Sequence, residues 1–191
     1  MGAISVSQIK DEARSTYGIV PSFFTETGAY TGTPAAAYMI ADEALLSGVL
    51  TCQEQQAVLL ELARYLNSRY DAVVHARMAL DAGLSPQIVG QLLDGENISD
   101  RRLNALVKAT RLSCKKRAWL SPDELSNLQQ HNVTRGDLYE IFALIGVKKM
   151  TAFTHHMSDF PVEAPLQPIN KLMNNRFEKP KNIKRQRLFT G

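Results

Sequence analysis

Residues 51–95 read TCQEQQAVLLELARYLNSRYDAVVHARMALDAGLSPQIVGQLLDG, and their reading decides the fold. Thr51-Cys-Gln-Glu54 has the form of a capping box, in which a hydroxyl and a carboxylate satisfy each other's backbone amides at the start of a helix. Behind it, Ala57, Val58, Leu59, Leu60, Leu62, Ala63, Tyr65 and Leu66 give an apolar face too wide for a surface helix. A second helix carrying His75 follows almost at once. Gly83 closes it, and Ser85-Pro86 opens a third, with proline at the first helical position.

The same punctuation continues outward. Ser121-Pro-Asp-Glu124 is another capping box, Ser99-Asp100 is an N-cap before Arg101, and Thr33-Pro34 opens an earlier helix. No segment alternates apolar and polar residues for long enough to argue a strand. The expected helices span 5–16, 34–47, 52–67, 70–82, 86–94, 100–115, 122–131 and 135–158, with left-handed glycines expected at Gly48, Gly83 and Gly95. Tyr17–Phe24 is expected to be a turn around Gly18 and Pro21, and His131 a helix C-terminal cap. The fold class is all-α, a helical bundle forming a single domain over 1–165.

Beyond 165 the pattern decays. Pro161, Pro165, Pro168 and Pro180 forbid a long helix, so residues 166–191 are expected to form an extended basic C-terminal arm. From Val162 onward there are seven bases (Lys171, Arg176, Lys179, Lys181, Lys184, Arg185 and Arg187) against Glu163 and Glu178. That is +5 in a chain of net +3, which leaves −2 for the body. Such an arm suits an acidic surface of a neighbouring subunit. Its aromatic content, Phe177 and Phe189, gives no stacking platform for bases, so nucleic acid is not the expected partner.

Composition narrows the classes further. With 191 residues, 45% hydrophobic and 21% charged, and a mean hydropathy of −0.18, the chain reads as an ordinary soluble globular protein. No apolar run approaches the roughly 20 residues of a bilayer span, and the N-terminus lacks a signal-like pattern, so a cytoplasmic location is expected. Cys52 and Cys114 are the two cysteines; they form neither a disulfide framework nor a zinc motif, and no cofactor is implied.

The order and spacing of 51–95, with Tyr17-Gly-Ile-Val-Pro-Ser-Phe-Phe24 before it and Phe153-Thr-His-His-Met-Ser-Asp-Phe-Pro-Val162 after it, resemble the carboxymuconolactone decarboxylase and alkylhydroperoxidase D superfamily over about residues 10–165. In the peroxidase branch of that superfamily the helix junction carries Cys-x-x-Cys-x-x-x-His. Counted back from His75, the two cysteine positions hold Asp71 and Ser68, so the resemblance implies a member without the thiol pair. The family's upstream glutamate falls at Gln56, with Glu54 or Glu61 as alternatives. Peroxide reduction needs an attacking thiolate and a resolving thiol, and neither serine nor aspartate supplies one.

The resemblance to the non-redox decarboxylase branch implies acid–base chemistry centred on His75, with Asp71 and Ser68 beside it. Asp71 and His75 are four apart, which places a carboxylate and an imidazole on one helix face. The same spacing serves surface or interface salt bridges more often than catalytic dyads. As metal ligands they lack a third. Gln56, Tyr65, Tyr70 and His156 are candidate pocket residues. Cys52, in a helix first turn, is a candidate displaced redox thiol. Three functions stay open: small-ligand binding or acid–base chemistry at His75, peroxidase activity through Cys52, and a non-catalytic interaction protein. A homo-oligomer is expected, from the resemblance and from the surplus of apolar helix faces.

Overall fold

In a computed structural model, which describes residues 5–173, 176 and 177, the described residues are mostly helical. The elements are α1 (Val6–Tyr17), α2 (Ser22–Gly28), α3 (Thr33–Leu46), α4 (Cys52–Tyr65), α5 (Arg69–Asp81), α6 (Pro86–Asp94), α7 (Arg101–Lys116), α8 (Pro122–Gln130) and α9 (Arg135–Ser158), then a 3-10 turn (Ala164–Leu166) and α10 (Gln167–Leu172). Among the described residues there is no strand.

The caps explain the starts. Thr51 with Glu54 and Ser121 with Glu124 form the two expected boxes, Ser5 with Gln8 and Thr134 with Asp137 form two more, and the Asp100 carboxylate accepts from the Leu103 amide. His131 ends α8, its Nδ1 lying 2.8 Å from the Asn127 carbonyl oxygen. Gly83 and Gly95 take positive φ as expected, and so does Gly18, which closes α1. Gly48 does not. Its requirement is space: a Cβ there would fall on the carboxyl of Glu140, which accepts hydrogen bonds from the Val49 and Leu50 amides.

Helix α4 is the centre of the bundle, packed against α5, α6, α7 and α9. All nine residues from Gln55 to Ala63 are buried. Val58, Leu59 and Leu62 belong to one apolar core, shared with α1–α3, α7 and α9, while Ala57, Leu60 and Ala63 belong to a second, shared with α5 and α6. Between Gln55 and Ala63 the helix therefore has no solvent face, which accounts for the width of its apolar pattern.

Two expectations are corrected. Tyr17–Phe24 is a turn only as far as Pro21, after which α2 begins. Seven residues are too few for a periodic signal, and the helix is held by burial of Phe23 and Phe24 against Tyr38. The arm expected to extend from 166 instead begins as structure folded on the chain's own body. Leu166 and Met173 join the second core, Arg69 donates to the side-chain and backbone oxygens of Asn170, and Arg176 pairs with Asp94. Residues 178–191, most of the expected arm, lie outside the described residues.

Burying α4 on every side also buries Glu61, whose carboxylate receives Arg64 at 2.7 Å and Arg111 at 2.9 Å. Both guanidiniums hold that one anion, tying α4 to α7. Glu61→Ala should cost about 3 kcal/mol, the order expected when one partner of a buried ion pair is removed. Urea unfolding of the variant beside the wild type measures this; a loss within about 0.5 kcal/mol, typical of a neutral surface substitution, would show that Glu61 does not hold the two helices.

Candidate functional site

The junction between α4 and α5 is sharp because Asn67 takes a left-handed conformation, φ 52°, and Ser68 immediately caps α5. The Ser68 hydroxyl accepts from the Asp71 amide and donates to Asp71 Oδ2 at 2.6 Å. Asp71 is thus fixed in the first turn of α5, where a negative charge is favoured by the helix dipole. Its other oxygen, Oδ1, accepts from the Thr151 hydroxyl at 2.8 Å and lies 3.8 Å from Lys148 Nζ. Both of those residues come from α9.

Lys148 is almost fully buried. Its ammonium donates to the Tyr38 hydroxyl at 2.9 Å. Burial lowers its pKa from the ordinary lysine value, and the charges of Asp71 and Asp42 work in the opposite direction. The same burial, with Asp42 and Asp71 nearby, drives the Tyr38 hydroxyl's pKa well up, so it stays protonated. Asp42 accepts from the Tyr17 hydroxyl at 2.7 Å, which extends the polar chain from α9 through α3 to α1.

One turn along α5 from Asp71, His75 is 2% exposed. Its Nδ1 lies 3.0 Å from Gln56 Oε1 on α4. An amide oxygen only accepts, so Nδ1 carries the hydrogen and Nε2 presents a lone pair. Nε2 is buried and has no hydrogen-bond partner among the described residues. Burial, reinforced by the positive charge of Lys148, holds the imidazole pKa well below 6.5, so the ring is neutral.

The expected residues therefore divide. Ser68 with Asp71, and His75 with Gln56, form two hydrogen-bonded pairs; Lys148 pairs with the carboxylate of the first, and its charge helps keep the imidazole of the second neutral. The expected direct pairing of Asp71 with His75 is not formed: the carboxylate is occupied by Ser68, Thr151 and Lys148, and the imidazole by Gln56. Tyr70 is buried elsewhere, where it donates to Glu163 Oε1 at 2.7 Å, accepts from the Ser22 amide, and packs edge-on against Phe160. Tyr65 is exposed, and His156 lies on the surface with Nε2 3.2 Å from the Asn67 carbonyl oxygen. Glu54 pairs with Arg102 and Glu61 with its two arginines, so Gln56 is the side chain of the three that meets His75.

Cys52 is an exposed free thiol at the first position of α4, one turn before Gln56. Cys114 is half-buried, and burial pushes its thiol up to about 11, away from thiolate chemistry. Among the described residues, no three His, Cys, Asp or Glu side chains are grouped to hold a metal ion. No described helix is long and apolar enough to cross a membrane.

Lys148, Thr151 and Tyr38 were not foreseen. The signal was present for Lys148: it falls on the stripe Ile141, Leu144, Lys148, Thr151, Ala152 of a helix whose other members there are mostly apolar.

The described residues form an all-α bundle, and solved structures of peroxidase-related proteins share that fold. The crystal structure of a protein from Ralstonia eutropha JMP134, described as an alkylhydroperoxidase AhpD core and an uncharacterized peroxidase-related protein, superimposes with a TM-score of 0.75 at 17% identity, over 87% of this chain and 89% of that one. An uncharacterized peroxidase-related protein from Silicibacter sp. TM1040 gives 0.70 at 14% identity, over 84% and 85%. The likeness is one of fold, the all-α bundle expected from residues 10–165. No protein-family model matches the sequence, and no curated protein matches it.

Because folding keeps His75 neutral while an unfolded chain's histidine protonates near pH 6.5, the unfolded state binds the extra proton. Stability should be fully present above pH 6.5 and fall as pH drops below it, by up to about 1.4 kcal/mol per pH unit for one group. Urea titrations of wild type and His75→Gln at pH 7 and pH 5 check this. The variant should lose less stability over that interval; equal losses would mean that the folded imidazole accepts a proton freely.

Proposed function

We propose that this chain keeps the peroxidase-related bundle without thiol redox chemistry, and that it binds a small carboxylated or apolar molecule at His75, either holding it or moving a proton on it. The observation that carries the reading is Nε2 of His75: a buried, neutral, lone-pair nitrogen with no partner among the described residues. An unfilled buried acceptor costs roughly 1–3 kcal/mol, and a ligand that donates a hydrogen bond recovers it. Fixed by Gln56 through Nδ1, the imidazole has the tautomer of a general base. A proton taken from a carbon next to a carbonyl would pass to Nε2, leaving negative charge on the ligand's oxygen, and Lys148 is the positive group beside it.

Ser68 and Asp71 support this reading from the other side. The resemblance places the redox thiols at these two positions, and here they hold a hydroxyl and a carboxylate bonded to each other. Their role is to position: they fix the start of α5 and bind Lys148. His75 is closed to bulk solvent, so the ligand is small or enters as the covering side chains yield. The exposure of Cys52 favours a second reading, a hydroperoxide reductase that uses a displaced thiol.

One experiment separates the two. Purified protein, Cys52→Ser and His75→Gln are assayed for hydroperoxide consumption with a dithiol donor, and for thermal stabilisation by a panel of small cyclic carboxylic acids. We expect no hydroperoxide turnover, and stabilisation of the wild type and of Cys52→Ser but not of His75→Gln. At a ligand concentration 100 times Kd the gain is about 2.7 kcal/mol, several degrees in Tm. Turnover abolished by Cys52→Ser overturns the proposal and assigns the chemistry to that thiol.

A further inference from the structure

The outer face of α9 carries an apolar stripe that the described chain does not cover. At 100° per residue, Tyr139, Phe142, Met150, Phe153 and Met157 all lie within about 40° of the line through Gly146. Tyr139 is 64% exposed, Phe153 58% and Met157 70%, while Phe142 and Met150 are partly buried at the margins. Between Tyr139 and Met157 no charged side chain falls within that sector. Val49, 61% exposed, lies beside Gly136 and widens the N-terminal end.

Gly146 is at the middle of the 24-residue helix. A Cβ built on it would meet nothing within 4 Å, so nothing inside the chain requires a glycine there. In a helix interior glycine costs about 1 kcal/mol relative to alanine, and close approach of another backbone is the usual return on that cost.

We propose that this stripe is a two-fold interface between two copies of the chain, in which α9 crosses its own copy antiparallel at Gly146. From Tyr139 to Phe153 the stripe is self-complementary about that point, and Met157 at its end falls opposite Arg135 of the second copy. A two-fold axis through Gly146 sets each residue n places before it against the residue n places after it in the other copy. Tyr139 then faces Phe153 of the second copy, and Phe142 faces Met150, so that aromatic or thioether groups fill both sides while the glycines let the backbones approach. From Tyr139 to Met157 the stripe is about 28 Å long at 1.5 Å per residue and about 10 Å wide, on the order of 300 Å². A standard interface buries about 800 Å² per partner, a little over half of it apolar, so the stripe supplies about two-thirds of the apolar share, and Val49 adds to it. The chain's own residues 178–191 suit it poorly, since they carry Lys179, Lys181, Lys184, Arg185 and Arg187.

The test is the mass of the full-length protein by sedimentation equilibrium, with unfolding curves to show that each variant folds. Wild type should weigh twice the 21.2 kDa of the chain, or a higher even multiple. Tyr139→Glu and Phe153→Lys should each halve the mass, and the two combined should restore it, because the new charges face one another across the axis. In a Cys52→Ser, Cys114→Ser background, Gly146→Cys should cross-link to its own copy on mild oxidation. A monomer at every concentration overturns the proposal, as does an assembly whose mass both charge variants leave unchanged. So does a wild-type monomer that dimerises only when 178–191 are removed, which would assign the stripe to the tail.

Discussion

Everything in this structure follows from a helix with no side open to water. Nine successive buried residues in α4 include three that are polar or charged, and a buried polar group without a partner is expensive. Gln55 donates to the Leu45 carbonyl at 2.6 Å and fastens the α3–α4 connection. Glu61 collects two arginines and fastens α7. Gln56 meets His75, and because its amide oxygen only accepts, that contact fixes the tautomer of the imidazole on α5. The candidate site is thus a by-product of how the central helix is solvated by its neighbours.

The electrostatics of α5 and α9 follow the same logic. Asp71, 2% exposed, is an anion that the helix start favours but that burial opposes. A hydroxyl from its own cap, a hydroxyl from Thr151 and the ammonium of Lys148 together meet it. Lys148 in turn needs Tyr38, and its positive charge adds to burial in keeping the His75 ring neutral while Gln56 holds Nδ1. A neutral imidazole and a buried ammonium thus belong to one polar cluster, the pair that the proposed function uses.

The punctuation of the chain made most of this fold legible in advance. Hydroxyl caps, Pro86 and Gly95 act within a turn of themselves, so α4, α6 and α8 could be placed from a few letters. His75 and Gln56 could be singled out because a family spacing names them. What escaped was long-range. Phe23 and Phe24 make α2 a helix only by packing on Tyr38. Asp71 turned from His75 to Lys148 because a lysine 77 positions later lies on the buried stripe of α9, and local spacing cannot weigh such a competitor. The short elements after Pro161 were missed for the same reason: prolines forbid a long helix, but Leu166 and Met173 still have a core to enter.

On the resemblance, Ser68 and Asp71 in the places of a thiol pair would be more than a deletion of chemistry. If the resemblance places the second thiol at Asp71, a group that is readily buried as a neutral thiol has been replaced by one that is a carboxylate at neutral pH. A carboxylate cannot sit at that depth alone; the desolvation is several kcal/mol per ion before compensation. Lys148 and Thr151 on α9 supply the compensation, at the cost of burying an ammonium that itself needs Tyr38. Each step of that chain is forced by the one before it, so Ser68, Asp71, Thr151, Lys148 and Tyr38 form one unit whose members make sense only together. On the proposed function, a site kept polar at this expense, with His75 Nε2 at its edge, handles protons or anions in place of electrons.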